Sequence, residues 1–367
     1  MTAPARRRTY LDVLRGVAVL IMMEAHVLDS WTRAADRGTR AFGQALILGG
    51  FAAPLFLFLA GVAVAMSAGS KARRSGDPSA AARAVQKHGL QIFALAFVFR
   101  LQSYVLGGFT APAWTMLKVD ILNIMGPAMI VAAALWLLAR DAWPRVAVFT
   151  FAVMTVVLVT PAIRHAAALA ALPDSLEGYL RPIPGLTNFT FFPWLAFVLA
   201  GAAVGVVLDR AQTPDADRRA NLALGAGGAV LAAGAYQASF FPPLDARSAF
   251  WTTSASFFFL RLGLMICAVW AAWLWERRPT AGRRWSPMQL LGRTSLFVYW
   301  VHVELVYGLV TNPLHGAFSL AGAWAGLGAV TLLMLALAVQ KERLSDKFRG
   351  KRELRHQLRR KVQALMF

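Results

Sequence analysis

The sequence predicts an all-α integral membrane protein, a helical bundle of about ten transmembrane helices with both termini in the cytoplasm. Of its 367 residues, 58% are hydrophobic and only 15% are charged, whereas soluble domains average about 25% charged residues. Apolar segments of about 20 residues recur along the chain, each long enough to cross about 30 Å of hydrocarbon at 1.5 Å per residue. These features together exclude a water-soluble multidomain protein.

The apolar segments define ten predicted spans and two domains. We expect a transmembrane domain over residues 1–340 and a basic cytoplasmic tail over residues 341–367, where apolar residues at roughly helical spacing favour either an amphipathic helix on the inner leaflet or a solvated tail. The predicted spans are 11–30, 45–68, 89–107, 121–139, 143–161, 191–208, 220–238, 256–275, 289–310 and 319–339.

The distribution of positive charge predicts the orientation. The net charge is +20, but most Lys and Arg residues lie between apolar segments, where they report topology rather than a nucleic-acid partner. With the N-terminus inside, the inner segments hold 27 Lys and Arg residues and the outer loops hold seven. The single cysteine, Cys267, allows neither an intramolecular disulfide nor a thiolate metal site, and we predict no metal.

The first predicted helix carries one polar stripe. An ionisable residue inside a spanning helix costs about 2.5 to 3.5 kcal/mol on insertion scales, which makes it a candidate for function. Arg15 and His26 are separated by ten residues, close to three turns, so they share a face with Asp12 and Asp29. Asp29 lies within reach of the His26 imidazole and is expected to orient it as a general base. A hydrogen-bonded histidine of the bundle interior is the alternative.

The ninth predicted helix repeats this arrangement, with Arg293 at the inner boundary and Tyr299 and His302 on one side. Counted from the predicted boundaries, His26 and three further side chains lie in the outer half of the membrane and could meet in one cavity. The candidates for an acceptor or oxyanion site are Arg100, Arg261, Tyr299 and His302. Glu24 and Glu304 lie about 200° around their helices from the adjacent histidines, and we expect them to form salt bridges with Arg100 or Arg261.

Six segments together resemble a known enzyme family. They are RTYLDVLRGVAVLIMMEAH, FAAPLFLFLAGVAVAMS, DILNIMGP, FFPWLAFVLAGAAVG, FWTTSASFFFLRLG and LLGRTSLFVYWVH. From Arg8 to Tyr307 the chain is similar to the bacterial relatives of heparan-alpha-glucosaminide N-acetyltransferase, within the transmembrane acyltransferase superfamily that includes the acyltransferase type 3 family.

The resemblance implies transfer of an acyl group, usually acetyl, from cytoplasmic acyl-CoA to an acceptor across the membrane. In that scheme His26 is the catalytic base or a transient acyl carrier and Arg15 helps to hold CoA. Cations near the inner boundary suit the CoA phosphates. Besides Arg15 the candidates are Arg293, Lys71, Arg73, Arg74, Arg83 and Lys87. The implied location is the bacterial cytoplasmic membrane.

The acceptor stays open at this stage. Residues 27–44 contain no histidine, whereas the lysosomal branch of the family has its reactive histidine in the first outer loop. We also expect no counterpart of the large luminal N-terminal domain of that branch. A hydroxyl or amine of a glycan or cell-envelope sugar is the expected acceptor, and assembly into a homo-oligomer is compatible with the sequence. The rival functions are a proton-coupled transporter or flippase and a non-catalytic membrane scaffold.

Overall fold

The fold is described by a computed structural model that covers residues 8–278 and 286–365, with side chains up to Phe348. Within these ranges the chain forms α-helices, short 3₁₀-helices and loops, with two isolated β-bridges and no strand. The predicted all-α class is confirmed.

The described part of the chain contains fourteen α-helices, several of them short. They are α1 Thr9–Trp31, α2 Arg40–Gly49, α3 Ala52–Ser75, α4 Pro78–Leu106, α5 Ile121–Trp136, α6 Ala142–Arg164, α7 Asp174–Leu180, α8 Phe191–Arg210, α9 Pro214–Ala238, α10 Phe250–Thr253, α11 Ala255–Glu276, α12 Pro287–Arg293, α13 Ser295–Tyr307 and α14 Leu320–Leu365.

Each predicted span coincides with helix, but two spans are interrupted. The second starts in α2 and continues in α3, and the ninth divides into α12 and α13 at Thr294. Among the described residues, six helical stretches are long and apolar enough to cross a membrane; they are Arg40–Ser75, Pro78–Leu106, Ala142–Arg164, Phe191–Arg210, Ala255–Glu276 and Leu320–Phe348. The total of ten spans and the side on which the termini lie stay predictions.

Helix α1 lies at the centre of the bundle, although it is the helix with the polar stripe. It contacts α2, α3, α11, α12, α13 and α14, and its Ala18, Val19 and Met23 are fully buried. The surrounding helices bury the Asp12 and Glu24 side chains of α1, which lowers the cost of placing them inside a membrane.

Small residues allow the helices to approach closely. Gly61 of α3 and Gly201 of α8 face each other's backbones: a Cβ on Gly61 would lie 1.9 Å from the Val198 carbonyl oxygen, and one on Gly201 would lie 1.8 Å from that of Phe58. Only glycine fits at this crossing.

The connection between α6 and α8 contributes residues to the site. The long connection between α6 and α8 is ordered, and Val119 exchanges backbone hydrogen bonds with Leu186 and Asn188 at 2.9 Å each.

Helix α14 continues without a break past Gln340. The domain boundary predicted at that point stays a prediction. The predicted apolar face of the tail, which includes Leu354, Leu358, Val362 and Leu365, lies outside the described side chains.

Candidate active site

One large cavity runs through the bundle between α1, α3, α4, α5 and α13. Its volume is about 1690 Å³, more than the 300–1,000 Å³ of a typical single-ligand pocket. Along α1 it extends from Arg15 to Asp29, about 21 Å, and along α3 from Lys71 to Ala52, about 28 Å. The cavity therefore extends over a length comparable to the thickness of the hydrocarbon layer.

A pair of histidines lies beside this cavity in the half nearer to Asp29. His26 lines the cavity, and its Nδ1 lies 2.9 Å from Nε2 of His302. The two rings are nearly parallel, with an interplanar angle of 10° and centroids 5.1 Å apart. His302 is fully buried, and its Nδ1 lies 2.6 Å from the carbonyl oxygen of Val298, one turn earlier in α13.

This chain of contacts determines the tautomers of both neutral rings. A carbonyl oxygen only accepts, so Nδ1 of His302 carries the proton and its Nε2 is an acceptor. Nδ1 of His26 must then donate to His302, which leaves the lone pair of His26 on Nε2. Within the described part of the chain no group bonds to this Nε2, and it is available as a base.

The hydrogen bond expected between His26 and Asp29 is not formed, and His302 takes that place. Asp29 is exposed at the mouth of the cavity, where its Oδ2 accepts a hydrogen bond from the Tyr307 hydroxyl at 2.9 Å. The Tyr307 ring packs edge-on against His26, with centroids 5.5 Å apart. Asp29 is therefore linked to His26 indirectly, through the Tyr307 side chain, which bonds to Asp29 and packs against His26. Spacing along α1 allowed the direct bond, but α13 packs against the same face.

Arg100 lines the cavity, as predicted, but its ion-pair partner is Asp120 at 2.5 Å. Asp120 also caps α5, through its contact with the Ile121 N–H and a capping box with Asn123. The salt bridges expected for Glu24 and Glu304 are absent among the described residues. Glu304 lines the cavity and accepts a hydrogen bond from Ser103, while both oxygens of Glu24 are buried without a hydrogen-bond partner.

The four candidates for the acceptor or oxyanion site separate in the structure. Arg100 and Tyr299 line the large cavity, and His302 lies behind His26. Arg261 lines a smaller adjoining cavity instead. Of the side chains expected to meet in one cavity, His26 and Arg100 therefore line it, and Arg261 does not.

The opposite end of the cavity, the predicted cytoplasmic end, carries Arg15, Lys71 and His88. Of the cations predicted for the CoA end, Arg15 and Lys71 line the cavity, and the other five, Arg73, Arg74, Arg83, Lys87 and Arg293, do not. Arg83 is exposed and 3.7 Å from Asp77; Lys87 is exposed and does not line the cavity; Arg293 is paired with Glu342 of α14 at 3.0 Å.

Sequence reasoning missed several cavity residues. Asp120 was detectable as an N-cap at the start of an apolar helix. His88, which also lines the cavity, was assigned no chemistry. Which residues of α3 and α4 line the cavity depends on how these helices are rotated about their axes, which the sequence does not reveal because the apolar residues of these helices are not confined to one face.

These features define an integral membrane protein whose large cavity has a cationic end at Arg15 and Lys71 and presents an oriented imidazole in the half nearer to Asp29. Residues 7–237 match the family model described as heparan-alpha-glucosaminide N-acetyltransferase, catalytic. The chain belongs to this family of membrane acetyltransferases. The match includes Arg15, His26 and Arg100 and ends before α11. A comparison with curated protein sequences gives no match.

Proposed function

We propose that the protein transfers an acetyl group from acetyl-CoA, bound from the cytoplasmic side, to a hydroxyl or amine of an acceptor on the other side of the membrane. The observation that carries the proposal is the single cavity that joins the cationic end at Arg15 and Lys71 to the free Nε2 of His26. A volume of about 1690 Å³ can accommodate parts of two substrates together.

The cationic end suits the donor. Acetyl-CoA carries phosphates and a long thin pantetheine arm, so its nucleotide would lie against Arg15, Lys71 and His88 while the arm extends along the cavity toward His26. Acetyl-CoA is the donor that members of this family use.

His26 would act as the base in the transfer. Its Nε2 takes the proton of the acceptor O–H or N–H as the acceptor oxygen or nitrogen attacks the thioester carbonyl, a role worth about 10² to 10⁴ in rate. The C–S bond breaks, and the proton passes from Nε2 to the departing CoA sulfur. Through its Nδ1–H bond to His302, His26 keeps its orientation and its transient positive charge is stabilised.

The Arg100–Asp120 pair and Tyr299 line the cavity near this point and would position the acceptor or stabilise the developing oxyanion. We propose a small extracytoplasmic acceptor such as a cell-envelope sugar, in the cytoplasmic membrane of a bacterium.

The test uses the purified protein in lipid nanodiscs with radiolabelled acetyl-CoA and cell-envelope extract. His26→Ala should abolish transfer while acetyl-CoA binding stays measurable, and His165→Ala, in a loop away from the cavity, should keep wild-type activity. Equal turnover by wild type and His26→Ala would refute the assigned role. Counterflow of a solute without acetyl-CoA would instead indicate a transporter. Mass spectrometry of envelope glycans and lipids, with and without the protein, identifies the acceptor.

A further inference from the structure

A second cavity, of about 290 Å³, adjoins the large one at the end near Asp29. The two cavities share a rim formed by Gly50, Thr187, Asn188 and Trp194. The volume corresponds to that of about ten water molecules at roughly 30 Å³ each, enough for a charged group and part of a sugar ring. No residue that lines the second cavity has a role in the transfer mechanism proposed above.

The guanidinium of Arg261 lines this second cavity without an anionic partner. No hydrogen bond or ion pair of Arg261 occurs among the described residues, and its Nε is completely buried. The guanidinium stacks on the Phe257 ring, with 3.9 Å between its carbon and the ring centroid. Stacking uses the face of the guanidinium and leaves the N–H donors at its edge free to bind a ligand.

The surroundings of Arg261 are also electropositive. The cavity lies at the N-terminal ends of α8 and α11, whose N-cap residues Thr190 and Ser254 make no side-chain capping bond. Helix N-termini carry a partial positive charge and unpaired N–H groups. Arg164 contributes a second guanidinium, held by the Phe192 carbonyl at 2.9 Å. The described residues that line the cavity include no Asp or Glu.

We propose that this cavity, the Arg261 cavity, binds an anionic group of the acceptor, namely a carboxylate, a phosphate or a sulfate. Two arginines and two helix N-termini, with no carboxylate among the described residues that line the cavity, leave a positive charge that such an anion neutralises. Through the shared rim, the remainder of the acceptor reaches the large cavity and His26. This assignment rests on the proposed transferase function and adds that the acceptor is anionic.

The test measures equilibrium binding of four matched monosaccharides to the full-length protein in nanodiscs: glucose, glucose 6-phosphate, glucose 6-sulfate and glucuronate. At least one anionic sugar should bind more tightly than glucose by about tenfold or more, and the preferred one identifies the anionic group. Arg261→Gln should remove this preference, and Arg261→Lys should restore part of it. Arg247→Gln is the control, because Arg247 is an exposed outer arginine that is paired with Asp245 at 2.7 Å.

Equal binding of glucose and all three anionic sugars, or unchanged binding by Arg261→Gln, would overturn the proposal. The Arg261→Lys variant guards against a folding defect in Arg261→Gln, since it keeps the charge. Binding does not require acetyl transfer, so the two hypotheses fail separately. A protein that binds anionic sugars through Arg261 but transfers no acetyl group would refute the transferase and leave this site standing.

Discussion

At the residue scale, the central feature is the hydrogen bond from His26 to His302, which orients the proposed base. His302 is buried and does not line the cavity, so we assign it a positioning role. We expect His302→Gln to lower kcat by about 10²-fold with little change in the KM for acetyl-CoA, because donor binding does not involve His302. Steady-state kinetics would show this, with His165→Gln as control. A His302→Gln protein with wild-type kcat would contradict the assignment.

The Arg100–Asp120 pair allows a stability prediction with a matched control. Both side chains are less than one-fifth exposed, so Asp120→Asn leaves a largely buried guanidinium unpaired and should cost about 3 kcal/mol. Asp77 also caps a helix, α4, but its pair with Arg83 is mostly exposed, and Asp77→Asn should cost less than about 1 kcal/mol. Asparagine can still cap a helix in both variants. Unfolding in detergent measures both losses, and equal losses would contradict the prediction.

At the scale of helices, the α3–α8 crossing depends on glycine. Gly61→Ala places a methyl group on the Val198 carbonyl oxygen, so the helices must separate. We expect a loss of about 1 to 3 kcal/mol in the free energy of unfolding. Gly234→Ala is the control, because a Cβ at Gly234 of α9 meets no atom within 4 Å. Thermal unfolding in detergent distinguishes the two variants, and a Gly61→Ala protein as stable as Gly234→Ala would show that the crossing tolerates a side chain.

The start of α14 is held by a loop carboxylate, and this contact should depend on pH. The Leu320 N–H donates to Asp36 at 2.8 Å, and Arg33 donates to the other oxygen. These two contacts hold the pKa of Asp36 below its usual value. Since the folded pKa is the lower one, the contact stabilises α14 fully above the unfolded value of about 4, and the stabilisation is lost as pH falls through the folded value.

Hydrogen exchange at the first turn of α14 measures this effect. Protection should be higher at pH 6 than at pH 3 in the wild type, and Asp36→Asn should remove the difference. The same pH dependence in Asp36→Asn would exclude Asp36 as its source.

At the scale of the whole molecule, the cavity predicts which cations bind the donor. Lys71 lines the cavity and Lys87, one helix further along the chain, does not. Lys71→Gln should raise the KM for acetyl-CoA by about tenfold, because one charged contact with a phosphate is lost, and should leave kcat nearly unchanged. Lys87→Gln should behave as the wild type. Kinetics that are equal in the two variants would place the CoA phosphates elsewhere.

How much of the site could be predicted differs between residues. Arg15 and His26 were identified correctly as cavity neighbours on one face of α1, since both belong to one helix of known period. The partner of His26 was predicted wrongly as Asp29, because the true partner, His302, comes from a helix 276 positions away in the chain. Arg83, Lys87 and Arg293 were chosen for their predicted depth alone, and depth does not reveal which way a side chain faces.

The sequence alone determined that this protein is a helical integral membrane protein, where its apolar helices lie, and which family it belongs to. The first two properties follow from the transfer free energy and periodicity of contiguous residues, which depend on the local chain. The family follows from the resemblance of short motifs along the chain and from the match over residues 7–237. The tertiary structure decided which nitrogen of His26 is free, which cations line the cavity and that Arg261 lies in a cavity of its own. These depend on how each helix is rotated and offset against its neighbours, which close packing at positions such as Gly61 and Gly201 sets.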